Sequence, residues 1–301
     1  MLLVIGHRGQ VGHDVLRVAS EVGVDAVGVS RSGAAPSLDI TDVRQVRECL
    51  AATNATAVVN CAAYTAVDAQ ETDEETAHLV NGAAPGLLAA AAHERGIPLI
   101  HLSTDYVFPG DRTDGVAYEP DDPTGPASAY GRTKLAGEVA VREIAPELGW
   151  VVRTAWVYGQ NGPNFVRTMT KLLQEKDSVS VVDDQIGSPT FSLHLARGLV
   201  ELAARARDLP AQILHATGTG APVSWCGFTR AIAEEIGVDV SRVLPTTSQA
   251  FVRPAARPAW SVLSPRAWVA LGLTPLPDWR AALHEAFTDP DVAASLRGLR
   301  G

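Results

Sequence analysis

The chain has 301 residues, room for two domains of roughly 100–200 residues each, and its 46% apolar and 20% charged residues make it globular rather than disordered. A net charge of −9 argues against a nucleic-acid partner, which requires a basic face, and no apolar run approaches the ~20 residues of a membrane span. Cys49, Cys61 and Cys226 are too few and too scattered for a disulfide framework or a zinc site, so a reducing cytoplasm is the expected compartment.

Leu2 to Ile5 reads as a short buried strand, with no basic segment before it to suggest a secretory leader. Gly6-His7-Arg8-Gly9-Gln10-Val11-Gly12 follows, a G-x-x-G-x-x-G turn into a helix over about residues 10–22. Its glycines let backbone amides approach a pyrophosphate seated on the helix N-terminus, with Gly6, Gly9, Gln10, Val11 and Gly12 as candidate contacts. Ala26 to Val29 is a second strand. A plain NAD-binding unit carries an acid after this strand for the adenosine ribose; here Ser30-Arg31-Ser32 stands instead. Ser30 and Arg31 suit a 2′-phosphate, so NADPH is expected ahead of NADH; the other reading of Arg31 is a surface charge.

Asp39 and Ile40 come next, Asp39 facing either an adenine amino group or nothing beyond its own loop. Thr41 or Asp42 caps a helix over about 42–52. Ala57 to Asn60 is a third strand, running into Cys61-Ala62-Ala63-Tyr64-Thr65-Ala66-Val67-Asp68, whose small residues admit a flat ligand. A long helix over about Glu74 to Arg95 stops at Gly96. Pro98 to Thr104 and Trp150 to Thr154 are the fourth and fifth strands.

Strands alternating with helices at this spacing indicate βαβ units: an α/β fold with a Rossmann-type doubly wound parallel sheet. Ligands gather at the carboxyl ends of such strands, where all the segments singled out above are found. After the fourth strand comes Ser103-Thr104-Asp105-Tyr106, and Tyr130-Gly131-Arg132-Thr133-Lys134 opens a further helix. Residues four apart share a helix face, so Tyr130 and Lys134 project together, and a nearby ammonium favours phenolate. A hydroxyl at a strand end, Thr104, can hold a carbonyl oxygen near that phenol. Hydride donor, proton donor and oxygen orienter are what carbonyl reduction needs. Tyr-x-x-x-Lys by itself fits a buried Tyr beside a solvated Lys equally well.

Beyond Tyr158 the pattern is irregular: helices at Asn164–Glu175, Ser192–Arg207 and Ser224–Ile236, strands at Val179–Val182 and Gln212–Ala216, a Pro-rich stretch, two short helices and a fraying last dozen residues. The expected division is a dinucleotide-binding domain over 1–160 plus about 188–212, and a smaller, interleaved C-terminal substrate-binding domain over 161–187 and 213–301.

Five motifs together resemble the dTDP-4-dehydrorhamnose reductase family of extended short-chain dehydrogenase/reductases. They are Gly6-x-x-Gly-Gln-Val-Gly12, Val59-Asn-Cys-Ala-Ala-Tyr-Thr-Ala-Val-Asp68, Ser103-Thr-Asp-Tyr-Val-Phe108, Tyr130-Gly-x-x-Lys-x-x-Gly-Glu138 and Arg153-Thr-Ala-Trp-Val-Tyr158. The resemblance continues through Asp184-Gln-Ile-Gly-Ser-Pro-Thr190, Arg257-Pro-x-x-Ser261 and Pro275-Leu-Pro-Asp-Trp279. It implies NAD(P)H-dependent reduction of the 4-keto group of dTDP-4-dehydro-L-rhamnose, a small-molecule dTDP-sugar, to dTDP-L-rhamnose. By the resemblance, Tyr130 is the proton donor, Lys134 lowers its pKa and holds the nicotinamide ribose, and Thr104 polarises the ketone. Ala62, Ala63, Tyr64 and Thr65 meet the nicotinamide side. Val67, Asp105, Tyr106 and Trp156 shape the sugar pocket, Arg257 meets the diphosphate, and Asn81 supports a proton relay to the Lys. Some members bind a divalent metal and dimerise through acids near the first helix and after the Gly-Ser-Pro-Thr stretch. Asp14 and Leu193 stand there, so no metal ligand is assigned, and Mg2+ and a homodimer stay open. The alternatives are a 4-ketoreductase for another dTDP-deoxysugar, of an antibiotic or streptose pathway, and a non-catalytic dinucleotide-binding regulatory subunit.

Overall fold

A computed structural model of the protein describes residues 1–32 and 37–298. Its centre is a parallel sheet of six strands: β1 (Leu2–Ile5), β2 (Ala26–Val29), β3 (Ala57–Asn60), β4 (Leu99–Thr104), β5 (Gly149–Thr154) and Ile213–His215. The spatial order is β2-β1-β3-β4-β5 with Ile213–His215 at the edge beside β5, all pairs parallel. Strand residues alternate between two buried faces, which is why the strands read as unbroken apolar runs. Leu2, Val4, Val59 and Trp150 pack with Val15 and Val18 of α1 (Gln10–Glu21) and with Leu195 and Leu199 of helix Ser192–Arg205. Leu3, Ile5, Val58 and Val151 pack on the other face with Val46 and Leu50 of α2 (Val43–Thr53), Leu88, and Val141. The doubly wound α/β fold is the one the sequence implies.

The caps explain where helices begin. The Asp42 carboxylate accepts from Arg44 and Gln45 N–H at 2.9 and 3.2 Å, and the Ser128 hydroxyl accepts from Gly131 N–H at 3.2 Å. Ser128 therefore starts α5 (Ala129–Ile144) with Tyr130 in its first turn. Asp14, expected near the first helix as an acid, is buried and accepts the Ser192 hydroxyl proton, tying α1 to Ser192–Arg205; Leu193 lies in the core.

The structure departs from the sequence reading in three places. The long helix is not uniform: α3 (Glu74–Ala77) passes through a π-helical segment, His78–Ala83, into α4 (Ala84–Glu94). Pro85 has no N–H for the carbonyl of Asn81, and the ladder widens there. Ile213–His215 pairs with β5, Ile213 opposite Val151, so the central sheet runs past the division expected at residue 212. The chain end, expected to fray, carries a helix, Pro290–Leu296, with Pro in its first turn; Asp289 caps it and Val292 and Leu296 are buried. Among the described residues no helix is long and apolar enough to cross a membrane.

Candidate active site

The chain leaves β1 for β2 on one side and later returns to β3 on the other, so the carboxyl ends of β1 and β3 flank the sheet's switch point, where such folds take ligands. Gly6 has φ +81°, and a Cβ there would fall 2.7 Å from Ala62 N, so only glycine lets the two turns touch. A cavity of about 610 Å³ lies along them, lined by Gly6, Gly9, Ser30, Arg31, Asp39, Ile40, Ala62, Ala63, Tyr64 and Thr65. A second, of about 540 Å³, shares Gly9, Ala63 and Thr65 with it and continues past Gln10, Val11 and Gly12 to Thr104, Asp105, Tyr106, Tyr130, Lys134 and Trp156. The crevice has the length, the glycine cradle and the helix N-terminus that a dinucleotide needs.

At the far end Arg8, overlooked in the sequence reading, lines both cavities, and its guanidinium donates to Ser32 O at 3.2 Å. A basic residue inside the Gly-rich turn was the available signal. The Asp39 carboxylate accepts from Thr41 N–H at 2.9 Å and Thr41 O–H at 2.7 Å, bonds that hold it below the usual carboxylate range, with Arg31 adding to the effect. Asp39 is thus a turn-forming carboxylate at the cavity wall.

At the other end the Thr104 hydroxyl donates to Asp105 Oδ1 at 2.9 Å and accepts from Tyr106 N–H at 3.2 Å. Burial pushes the Tyr130 phenol up to about 12, the Thr104 hydroxyl pulling the other way. Lys134, expected to lower this phenol, is not among the groups that shift it, and its amine is engaged by other partners. Its Nζ lies 2.6 Å from Leu102 O and 3.1 Å from His101 Nε2, and burial lowers it to about 8. Asp105 is also buried, which raises its carboxyl to about 6 against the Ser261 and Thr104 hydroxyls. The Tyr106 and Tyr130 rings meet edge to face at 5.5 Å. Glycine makes this close packing feasible: a Cβ at Gly131 would collide with Tyr106 O, and one at Gly137 with Asn81 O.

Trp156 adopts φ +48°, unusual for a side chain of its size, and its indole stacks on Trp225 at 3.4 Å. A Cβ on Gly187 would fall 2.6 Å from the same ring, so Trp156 is held on both sides. Trp225 lines the second cavity along with Ser103 and Thr154.

Three expected residues are placed elsewhere. Val67 and Arg257 line neither cavity. The Arg257 guanidinium donates to Ala255 O at 2.9 Å and pairs with Asp68 Oδ1 at 2.9 Å, so its fork is committed inside the protein. Asn81, expected to relay to Lys134, instead clamps Tyr64: its Oδ1 accepts from Tyr64 N–H at 2.8 Å and its Nδ2 donates to Tyr64 O at 2.9 Å.

Residues 1–291 match the family model described as RmlD substrate binding domain. The chain is 47% identical over 287 residues to a dTDP-4-dehydrorhamnose reductase of Streptomyces griseus, covering 95% of this chain and 92% of that one. It is 40% identical over 285 residues to a dTDP-4-keto-6-deoxy-D-glucose reductase of Streptomyces niveus, covering 95% and 96%. A crystal structure of dTDP-4-dehydrorhamnose reductase from Bacillus anthracis in complex with NADP superposes with a TM-score of 0.88 at 32% identity, covering 96% of this chain and 98% of that one. Crevice, motifs and whole-length similarity agree: the chain belongs to the dTDP-4-dehydrorhamnose reductase family.

Proposed function

We propose that the protein reduces the 4-keto group of dTDP-4-dehydro-L-rhamnose to dTDP-L-rhamnose, with NADPH as the preferred cofactor. The observation that carries this reading is the pairing of Thr104 and Tyr130 on one wall of a crevice whose other wall is the Gly6–Gly12 cradle. When bound, the reduced nicotinamide supplies the hydride. Tyr130, neutral because it is buried, holds the proton that the new alkoxide takes up. Thr104 orients the ketone oxygen beside that phenol, its own position fixed by Asp105 and Tyr106 N–H. Lys134 holds the nicotinamide ribose. Asp105, Tyr106 and Trp156 shape the sugar pocket, and Trp225 closes it. Gly9, Gln10 and Val11 meet the pyrophosphate, and Arg8 and Arg31 suit the 2′-phosphate of NADPH. A cytoplasmic setting suits Cys49, Cys61 and Cys226, all free thiols.

The test monitors NADPH and NADH consumption by absorbance with dTDP-4-dehydro-L-rhamnose and identifies the product by chromatography. Saturable formation of dTDP-L-rhamnose is expected. Cofactor binding without turnover on this sugar, and on a panel of other dTDP-keto-sugars, would overturn the enzymatic reading in favour of a dinucleotide-binding subunit. The Streptomyces niveus relative, named for a different keto-sugar, favours a second reading, a 4-ketoreductase for another dTDP-deoxysugar.

A further inference from the structure

Lys134 is held by two residues, Asn60 and His101, to which none of the readings above gives a role. His101 lies on β4 beneath α5, fully buried, and Asn60 is its register partner at the end of β3. Asn60 Nδ2 is 3.0 Å from His101 Nδ1, and His101 Nε2 is 3.1 Å from Lys134 Nζ. The direction of this chain is fixed by its far end. Asn60 Oδ1 accepts from Ala62 N–H at 3.1 Å, so the amide turns its NH2 to the ring. His101 Nδ1 must then accept, which leaves the proton of a neutral imidazole on Nε2. That N–H points at Lys134. An ammonium has no lone pair to receive it; an amine does, and it donates one of its own hydrogens to Leu102 O at 2.6 Å.

Burial keeps His101 well below its usual range, so the ring is neutral. Burial lowers Lys134 itself to about 8 against the pull of the Glu138 carboxylate, so the amine form prevails above that pH. The Cys61 thiol, after β3, is pushed up by burial to about 12. On α5, Tyr130 is neutral, and the Glu138 carboxylate that acts on Lys134 is itself paired with Arg153 at 2.6 Å.

We propose that in mildly alkaline solution Asn60 and His101 form a hydrogen-bond chain of fixed direction that holds Lys134 as an uncharged amine against β4, and that engaging the ribose of a nicotinamide dinucleotide there requires Lys134 to take up one proton. This rests on the reading of Lys134 as the ribose-holding residue. The proton comes from the buffer: the amine becomes an ammonium, leaves His101 Nε2, and turns its hydrogens to the ribose hydroxyls. His101 is a positioning residue; it touches neither substrate nor hydride.

The experiment is titration calorimetry of the full chain with NADPH at a pH about one unit above the Lys134 value, in two buffers of different ionisation enthalpy. Proton uptake close to one per site is expected, and Lys134→Met should abolish it. Asn60→Asp is the decisive variant. A carboxylate there accepts from both Ala62 N–H and His101 Nδ1–H, which reverses the chain, bares Nε2 and favours the ammonium in the free protein. Uptake should then fall to a small fraction of the original value while NADPH still binds. A packing role for Asn60 would not move this proton count. Heat of binding with no uptake by the unmodified protein, or uptake unchanged in Asn60→Asp, would overturn the proposal. Should Asn60→Asp fail to fold, the comparison of the unmodified protein with Lys134→Met still decides it, equal uptake in the two overturning it. No NADPH binding at any pH would instead overturn the cofactor reading itself.

Discussion

Glu138 and Arg153 form an ion pair, and replacing Glu138 by Gln tests how firmly the catalytic helix is tied to the sheet. Arg153 Nε lies 2.9 Å from Oε1 and Nη2 lies 2.6 Å from Oε2, with both side chains 2% exposed. Arg153 also donates to Pro120 O at 3.1 Å and sits 4.8 Å over the Phe108 ring, so it has nowhere to turn once its partner is neutral. Removing one member of a buried pair leaves an uncompensated charge and costs about 3–5 kcal/mol. A chain of 301 residues has an unfolding entropy of about 0.6 kcal/mol per degree, so Glu138→Gln should lower Tm by about 5–8 °C in scanning calorimetry. The double variant Glu138→Leu with Arg153→Met should recover most of the loss, because apolar groups of similar volume often replace a buried pair without cost. A fall of less than about 2 °C for Glu138→Gln would refute the reasoning, since it would mean that water or another acceptor reaches Arg153.

Tyr130→Phe should lower kcat by about 10²–10⁴-fold with little change in NADPH affinity by calorimetry; near-normal turnover would remove Tyr130 from the proton-donor role. Arg31→Asp, made with Arg8→Ala, should weaken NADPH at least about tenfold and leave NADH unchanged, and equal effects on both would show that these guanidiniums do not read the 2′-phosphate. Asp105 titrates from 3.8 in the unfolded chain to about 6 when folded, so the native state binds the extra proton between these values and stability falls as pH rises from about 4 to about 6. Asp105→Asn should flatten that part of the denaturant-midpoint profile, and an unchanged slope would mean the carboxyl is solvated.

The strands of the nucleotide half were legible because both faces of the sheet are buried, so β1 to β5 appear as apolar runs bounded by turn chemistry. The crevice was legible for a related reason: parallel strands bring Gly6, Ser30, Ala62 and Thr104 to one edge whatever the loops do. What escaped depends on partners distant in sequence. Nothing local in Arg257 says that Asp68 engages it, and nothing in Asn81 says that its amide is spent on the Tyr64 backbone. His101 reads as one more residue in a hydrophobic strand, and only the register of β3 against β4 sets Asn60 beside it and α5 sets Lys134 above it. The engagement of Lys134 by His101 and Leu102 O results from that same packing. The sequence could place Tyr130 and Lys134 on one face of a helix, but not choose which neighbour the amine prefers.

The π-helical segment His78–Ala83 carries a consequence for length variation in this family. A wide turn holds one residue more than an α-helical turn, and here the surplus lets the helix face two surfaces in succession. Upstream it aims Asn81 at Tyr64; downstream it brings Gly86 within reach of Ala140 and Ile144 on α5. Deleting Leu79 would regularise the helix yet rotate α3 by about 100° relative to α4. The Tyr64 loop would lose its clamp although no residue lining the crevice had changed. A gap of one position in this helix is therefore a change to the cofactor wall, and homologues that lack the surplus residue must hold that loop by other means.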